Sequence, residues 1–107
     1  MNEENQNEMI KILLDADNDI GLRDDIAMDL SKYDDPGTLK ALTKVAFNHD
    51  EDEMVSESCG ESIGEIWARR NFFDLGQYKK FNRSTKDGVI ISIRAYKPEW
   101  IEKYNLE

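Results

Sequence analysis

The feature that most constrains this chain is a recurrence: displaced by 33 positions against itself, the sequence lays apolar residues on apolar residues. Leu22 falls on Val55, Ile26 on Cys59, Ala27 on Gly60, Leu30 on Ile63 and Tyr33 on Ile66. The segment that follows obeys the same displacement, with Leu39 on Phe72, Leu42 on Leu75 and Val45 on Tyr78. Run backwards, it places Met9 on Leu42, Ile12 on Val45 and Leu13 on Ala46, so the first helix reads as the second half of an incomplete unit. One such unit cannot bury its own apolar stripe and must stack on the next.

Within each unit the spacing is helical, as in Leu22, Ile26, Met28 and Leu30, then Leu39, Leu42, Val45 and Ala46. Asp35 precedes Pro36, a proline suited to a first helical turn, and Lys97-Pro98 repeats that punctuation before Trp100. Helices are therefore predicted over 2–14, 20–33, 36–48, 53–70, 73–81, 85–96 and 98–105, with short connections that suit antiparallel neighbours. "GVIIS" (Gly88 to Ser92) is the one window with strand propensity, and it is assigned to a helix. The expectation is an all-α fold in a single domain, 1–107. Gly60 and Gly64, four apart on one helix, cost about 1 kcal/mol each in helix propensity, which points to close helix approach. Gly88, Lys97 and Pro98 are expected to break the register of the third pair. Trp67, Phe72, Phe73, Tyr78, Phe81, Tyr96, Trp100 and Tyr104 crowd the C-terminal part and are expected in the core or a terminal cap.

Between Asp19 and Phe47, the Leu22-Arg23 pair, Ile26-Ala27, Leu30, and the Asp35-Pro36 turn followed by Leu39 and Leu42 resemble a HEAT-type repeat. The likeness covers roughly residues 9–81. It implies a short stack of antiparallel helix pairs, a HEAT-like right-handed α-solenoid fragment.

The 23 acidic residues outnumber 14 basic ones, a net charge of -9 that disfavours nucleic acid or an anionic membrane as the main partner and favours a basic protein. The charge is uneven: residues 1–57 hold 16 acids and 5 bases, residues 58–107 hold 7 and 9. No apolar run reaches the length of a membrane span, and "MNEENQNE" lacks both parts of a signal peptide. Cys59 is alone, so no internal disulfide forms and a reducing cytoplasm is the expected setting.

In "HDEDE" (His49 to Glu53) the same displacement lays Asp50 and Asp52 on Asp17 and Asp19. Both sets lie in connections entering the first helix of a pair, so they are expected along one edge, about 10 Å apart. Arg83 and Thr85 occupy the next equivalent place and end the acidic edge. The expected partner-binding residues are Asp17, Asp19, Asp50, Glu51, Asp52 and Glu53, with Asp34 and Asp35 at the opposite edge.

Asp15, Asp17 and Asp19 alternate as in a calcium loop, but the glycine and closing glutamate of an EF-hand are not in place. One histidine and one cysteine fall short of a zinc ligand set, and carboxylates near helix starts serve as caps. No metal or cofactor is expected. Nor is catalysis: His49 and Cys59 have no third orienting group, and "CGESIG" lacks the lysine of a phosphate-binding loop. The runs "ARRN" and "YKKFNR" mix aromatics with cations as single-strand binders do. Against the net charge, Arg69, Arg70, Lys79 and Lys80 are instead expected to face acids of neighbouring helices or an interface rim.

Size, negative charge, a single free cysteine and a helical-repeat pattern together are similar to those of bacterial immunity proteins, the cytoplasmic antidotes to contact-dependent growth inhibition toxins. That resemblance implies a monomer that covers a cognate basic toxin nuclease domain, such as an RNase, with phosphate-mimicking carboxylates. The alternative is a small HEAT-like adaptor or scaffold subunit with no inhibitory role.

Overall fold

Five short polar side chains decide where helices begin. Asp19, Asp35, Asp52, Asp74 and Asn82 each accept a hydrogen bond from the backbone N–H three residues on, at Leu22, Thr38, Val55, Gln77 and Thr85. Each bond satisfies a donor that a helix start leaves without an intrahelical partner. In the computed structural model, which describes residues 2–106, the helices are α1 (Asn2–Leu14), α2 (Ile20–Asp29), α3 (Pro36–Phe47), α4 (Glu53–Arg70), α5 (Leu75–Lys80), α6 (Arg83–Tyr96) and α7 (Glu99–Lys103). A 3-10 turn, Leu30–Lys32, tightens the exit of α2, which ends earlier than its periodicity predicts. Among the described residues there is no strand, and 88–92 lies inside α6.

The centre of the molecule is α4, and its faces are divided by side-chain size. The face bearing Gly60 and Gly64 meets α6 backbone to backbone: a Cβ on Gly60 would sit 2.1 Å from the Thr85 carbonyl oxygen, and one on Gly88 2.0 Å from that of Glu57. The close approach expected of Gly60 and Gly64 is present. Gly88 lies inside α6, as its assignment to a helix predicts. It completes the contact from the α6 side, because any side chain there would push the helices apart. A second face of α4 carries serines, with Ser58 donating to Asp24 and Ser62 to the Ala27 carbonyl of α2. The remaining face places Val55, Cys59, Ile63 and Ile66 in a core shared with Leu13, Leu30 and Leu42, all fully buried.

Towards the C-terminus the core becomes aromatic. Trp67 lies 5.1 Å from Phe73 between ring centroids, and Phe73 lies 5.6 Å from Trp100 and 4.7 Å from Tyr104. These T-shaped and stacked contacts hold the five-residue α7 against the body. Phe72 and Tyr96 depart from the expectation and are exposed. So are Leu22 and Met28; Leu22 has only α1 before it where its counterpart Val55 has a complete helix pair. The radius of gyration, 12.9 Å, matches the ~13 Å of a closed domain of this size. No helix among the described residues is long and apolar enough to cross a membrane.

Candidate functional site

The acidic connections are built alike, bond for bond. In the turn 15–19 the Asp17 N–H donates to the Asp15 carboxylate (3.0 Å) and the Asn18 N–H to the Asp15 carbonyl (3.0 Å). In the turn 48–52 the Asp50 N–H donates to the Asn48 side chain (3.0 Å) and the Glu51 N–H to the Asn48 carbonyl (3.2 Å). Both are side-chain-closed turns of the kind Asp and Asn favour. Each ends with the next N–H, Asp19 or Asp52, donating to the side chain one residue back, Asn18 or Glu51. The capping carboxylates then take the Leu22 N–H (2.9 Å) and the Val55 N–H (3.0 Å).

Arg23 fixes the two turns beside one another. It is 2% exposed, and its Nε donates to the Leu13 carbonyl (2.9 Å) at the end of α1. Its two terminal nitrogens grip both oxygens of Glu51, at 3.1 and 2.8 Å. Burial acts to raise the Glu51 carboxyl, but the Arg23 bonds, the Asp52 N–H and the Arg23 charge outweigh it and hold the group below its ordinary value. At the far end of the same helices, Arg69 donates to the Ser31 and Tyr33 carbonyls and Arg70 to that of Asp34. These arginines cap backbone carbonyls of the 31–34 segment rather than acids of a neighbouring helix; the Arg69 ion pair is with Glu65 of its own helix. With starts and ends both tied, α2 and α4 run parallel. The turns 15–19 and 48–52 share one edge, and 34–35 lies at the other.

The expected site residues therefore divide. Asp17, Asp19, Asp50 and Glu53 are exposed and Asp52 is half-buried, and among the described residues none of these five forms an ion pair. Glu51 differs: its side chain is 10% exposed and committed to Arg23, so it holds the two turns together and does not face outward. Asp34 is exposed at the opposite edge, where the neighbouring Asp35 caps α3 and also accepts from Gln6. Burial acts to raise Asp35, but its bonds from Gln6 and Thr38 prevail and lower it.

Sequence reasoning missed Arg23, although the signal was there: it lies on one helical stripe with Ile26, Ala27 and Leu30, and a charge on a buried stripe requires a partner. It also missed Asp24, Glu57 and Glu61. Glu61 is pushed up by burial and then by the charges of Glu57 and Asp24, so the negative field of the edge continues along the seam of α2 and α4. His49 is exposed and bonds through Nε2 to the Lys80 carbonyl (3.1 Å). Cys59 is fully buried, and burial pushes its thiol far above the ordinary value, leaving a protonated, inert group. Among the described residues no three His, Cys, Asp or Glu side chains converge on a point that could hold a metal ion.

The edge is a set of fixed carboxylates that offers negative charge and hydrogen-bond acceptance. No protein-family model matches the chain, and comparison with curated proteins and with solved structures finds no significant match.

Proposed function

We propose that this edge binds a basic protein, and that the chain is an immunity protein neutralising a cognate basic nuclease toxin by covering its substrate cleft. The observation that supports this is the set Asp17, Asp19, Asp50, Asp52 and Glu53, five carboxylates that form no ion pair among the described residues although α2 and α4 are tied together at both ends. Two turns with one hydrogen-bond pattern at a 33-residue spacing also support the finer architecture, a short HEAT-like stack of antiparallel pairs. The cytoplasm is the compartment in which such an antidote acts.

Desolvated carboxylates facing Arg or Lys carry affinity, whereas rim carboxylates mainly steer the approach. The test mixes the chain with the basic nuclease domain encoded beside its gene and follows RNA cleavage. Stoichiometric inhibition is expected, and Asp17→Asn with Asp50→Asn should slow association about tenfold at low salt without changing the melting temperature. Binding without inhibition would leave the adaptor function in its place. The lack of any such neighbouring nuclease, or unaltered association kinetics, would remove the toxin or the edge respectively.

A further inference from the structure

The negative charge does not stop at the turns. Glu53, Glu57, Glu61 and Glu65 follow one another at four-residue spacing along α4, a single stripe about 18 Å long that starts beside the turn 48–52. Like charges four residues apart weaken a helix, and only the two ends of the stripe are compensated from within: Glu53 lies in the first turn, where the helix dipole favours it, and Glu65 pairs with Arg69. Glu57 and Glu61 are half-buried, and among the described residues neither forms an ion pair. The charge left over is felt at Glu61, which burial and then Glu57 and Asp24 push upward. The C-terminal part of the stripe floors two adjoining hollows of about 250 and 350 Å³ that share Glu65 and Tyr96. Met28 of α2 stands on one wall, 43% exposed, and Ile91 and Tyr96 of α6 on the other, 47% and 57% exposed. Among the described residues the lining holds one cation, Arg69, already committed to Glu65.

We propose that this groove takes a basic amphipathic helix of a partner protein, with Lys or Arg side chains on Glu57 and Glu61 and apolar side chains between Met28, Ile91 and Tyr96. The choice of occupant rests on charge and shape. Nucleic acid and anionic lipid are repelled by the stripe, and a second copy of this chain brings a net charge of -9 of its own. An extended segment finds no sheet edge to pair with among the described residues. A helix laid along α4 presents cations at the same one-turn interval as the glutamates and an apolar ridge beside them, so it supplies both kinds of contact at once. The inference rests on the reading of the acidic edge in one respect, that the partner is basic; it adds an apolar contact to that reading and needs no toxin.

The test displays a library of random 16-residue peptides, each about 24 Å long as a helix, selects on the wild-type chain and counter-selects on Glu61→Lys with Ile91→Lys. The survivors are expected to carry Lys or Arg beside apolar residues at three- and four-residue spacing. The strongest of them, synthesised and titrated by fluorescence anisotropy, should bind one to one. It should lose about tenfold or more in affinity to Glu57→Gln with Glu61→Gln and to Met28→Ser with Tyr96→Ser, and less than about threefold to Asp17→Asn with Asp50→Asn. Thermal melts by circular dichroism check that each variant folds, and the glutamine pair should melt no lower than wild type because like charges have been removed. Acidic survivors overturn the proposal and the reading of the edge together. Basic survivors that weaken only with the Asp17 and Asp50 pair overturn the groove and leave the edge standing, and an empty selection overturns the groove alone. Loss at both groove pairs, with no nuclease encoded beside the gene, sustains the groove and removes the toxin. Self-association that disappears in Ile91→Lys would give the groove to a second copy instead, and overturn the proposal likewise.

Discussion

The turn 15–19 and the turn 48–52 share every local backbone bond, yet the residue four places past the cap does different work in each. In the first it is Arg23, whose guanidinium joins the Leu13 carbonyl to Glu51 of the second turn. In the second it is Ser56, whose hydroxyl accepts from Asn82 (3.1 Å), the cap of α6. Asn82 also donates through its side chain to the Val45 and Asn48 carbonyls, and through its backbone to the Ala46 carbonyl (2.7 Å), the 33-residue counterpart of Leu13. Each unit boundary thus offers the same carbonyl at the end of a helix and supplies a donor to it, charged at one boundary and neutral at the other. The difference follows solvent. Glu51 keeps a tenth of its side chain in water, whereas Ser56 is fully enclosed, where a second ion pair would carry a larger desolvation cost.

Removing Glu51 should break the comparison most severely. Glu51→Ala leaves the Arg23 charge buried and is expected to cost about 3 kcal/mol, a fall of more than about 10 °C in melting temperature. The double change Arg23→Met with Glu51→Leu should recover most of it; a double variant as unstable as the single one would mean that the ion pair does more than close a seam. The pH dependence has a definite sign. Glu51 titrates below its ordinary value of 4.5 when folded, so its contribution is complete above that value and is lost as the pH falls through the folded pKa. The gap between wild type and Glu51→Ala should therefore narrow on acidification from pH 6 to pH 3 in denaturant titrations.

At the neutral boundary, Asn82→Ala removes a cap and three further bonds at once and should cost about 2 kcal/mol by chemical denaturation. Asp19→Ala and Asp52→Ala probe what the two turns share, and each should cost about 1 kcal/mol. If the two cap losses differ by more than about 1 kcal/mol, the turns are not energetic equivalents, whatever their geometry. Smallest of all, Asp17→Asn and Asp50→Asn should leave the melting temperature of the free protein unchanged.

The period of the chain and the starts of α2, α3 and α4 were legible because they rest on local chemistry: apolar spacing and an Asp three residues before the N–H it caps. The start of α6 was not. Its cap, Asn82, comes 30 residues after Asp52 instead of 33, and the shortened connection carries no proline to mark it. The contact that Gly88 makes was hidden for a related reason. A glycine in a helical pattern does not show what it packs against until the Glu57 carbonyl is known to lie where its Cβ would be. Glu51 could not be singled out either, since it stands among three other carboxylates and its partner is 28 residues away. On the edge, the sequence located the acidic turns but could not say which of their members would be spent inside the molecule.

The glycine contact between α4 and α6 has a bearing on motion. Where two backbones touch without side chains between them, no rotamer jump or entering water can loosen the pair a little at a time; it separates only as a whole. Amide exchange should accordingly be slowest along Gly60, Gly64 and Gly88 and fastest in α1, the half unit at the other end. A protein that seized the acidic turns would hold, through the turn 48–52, the first turn of the helix that forms this contact.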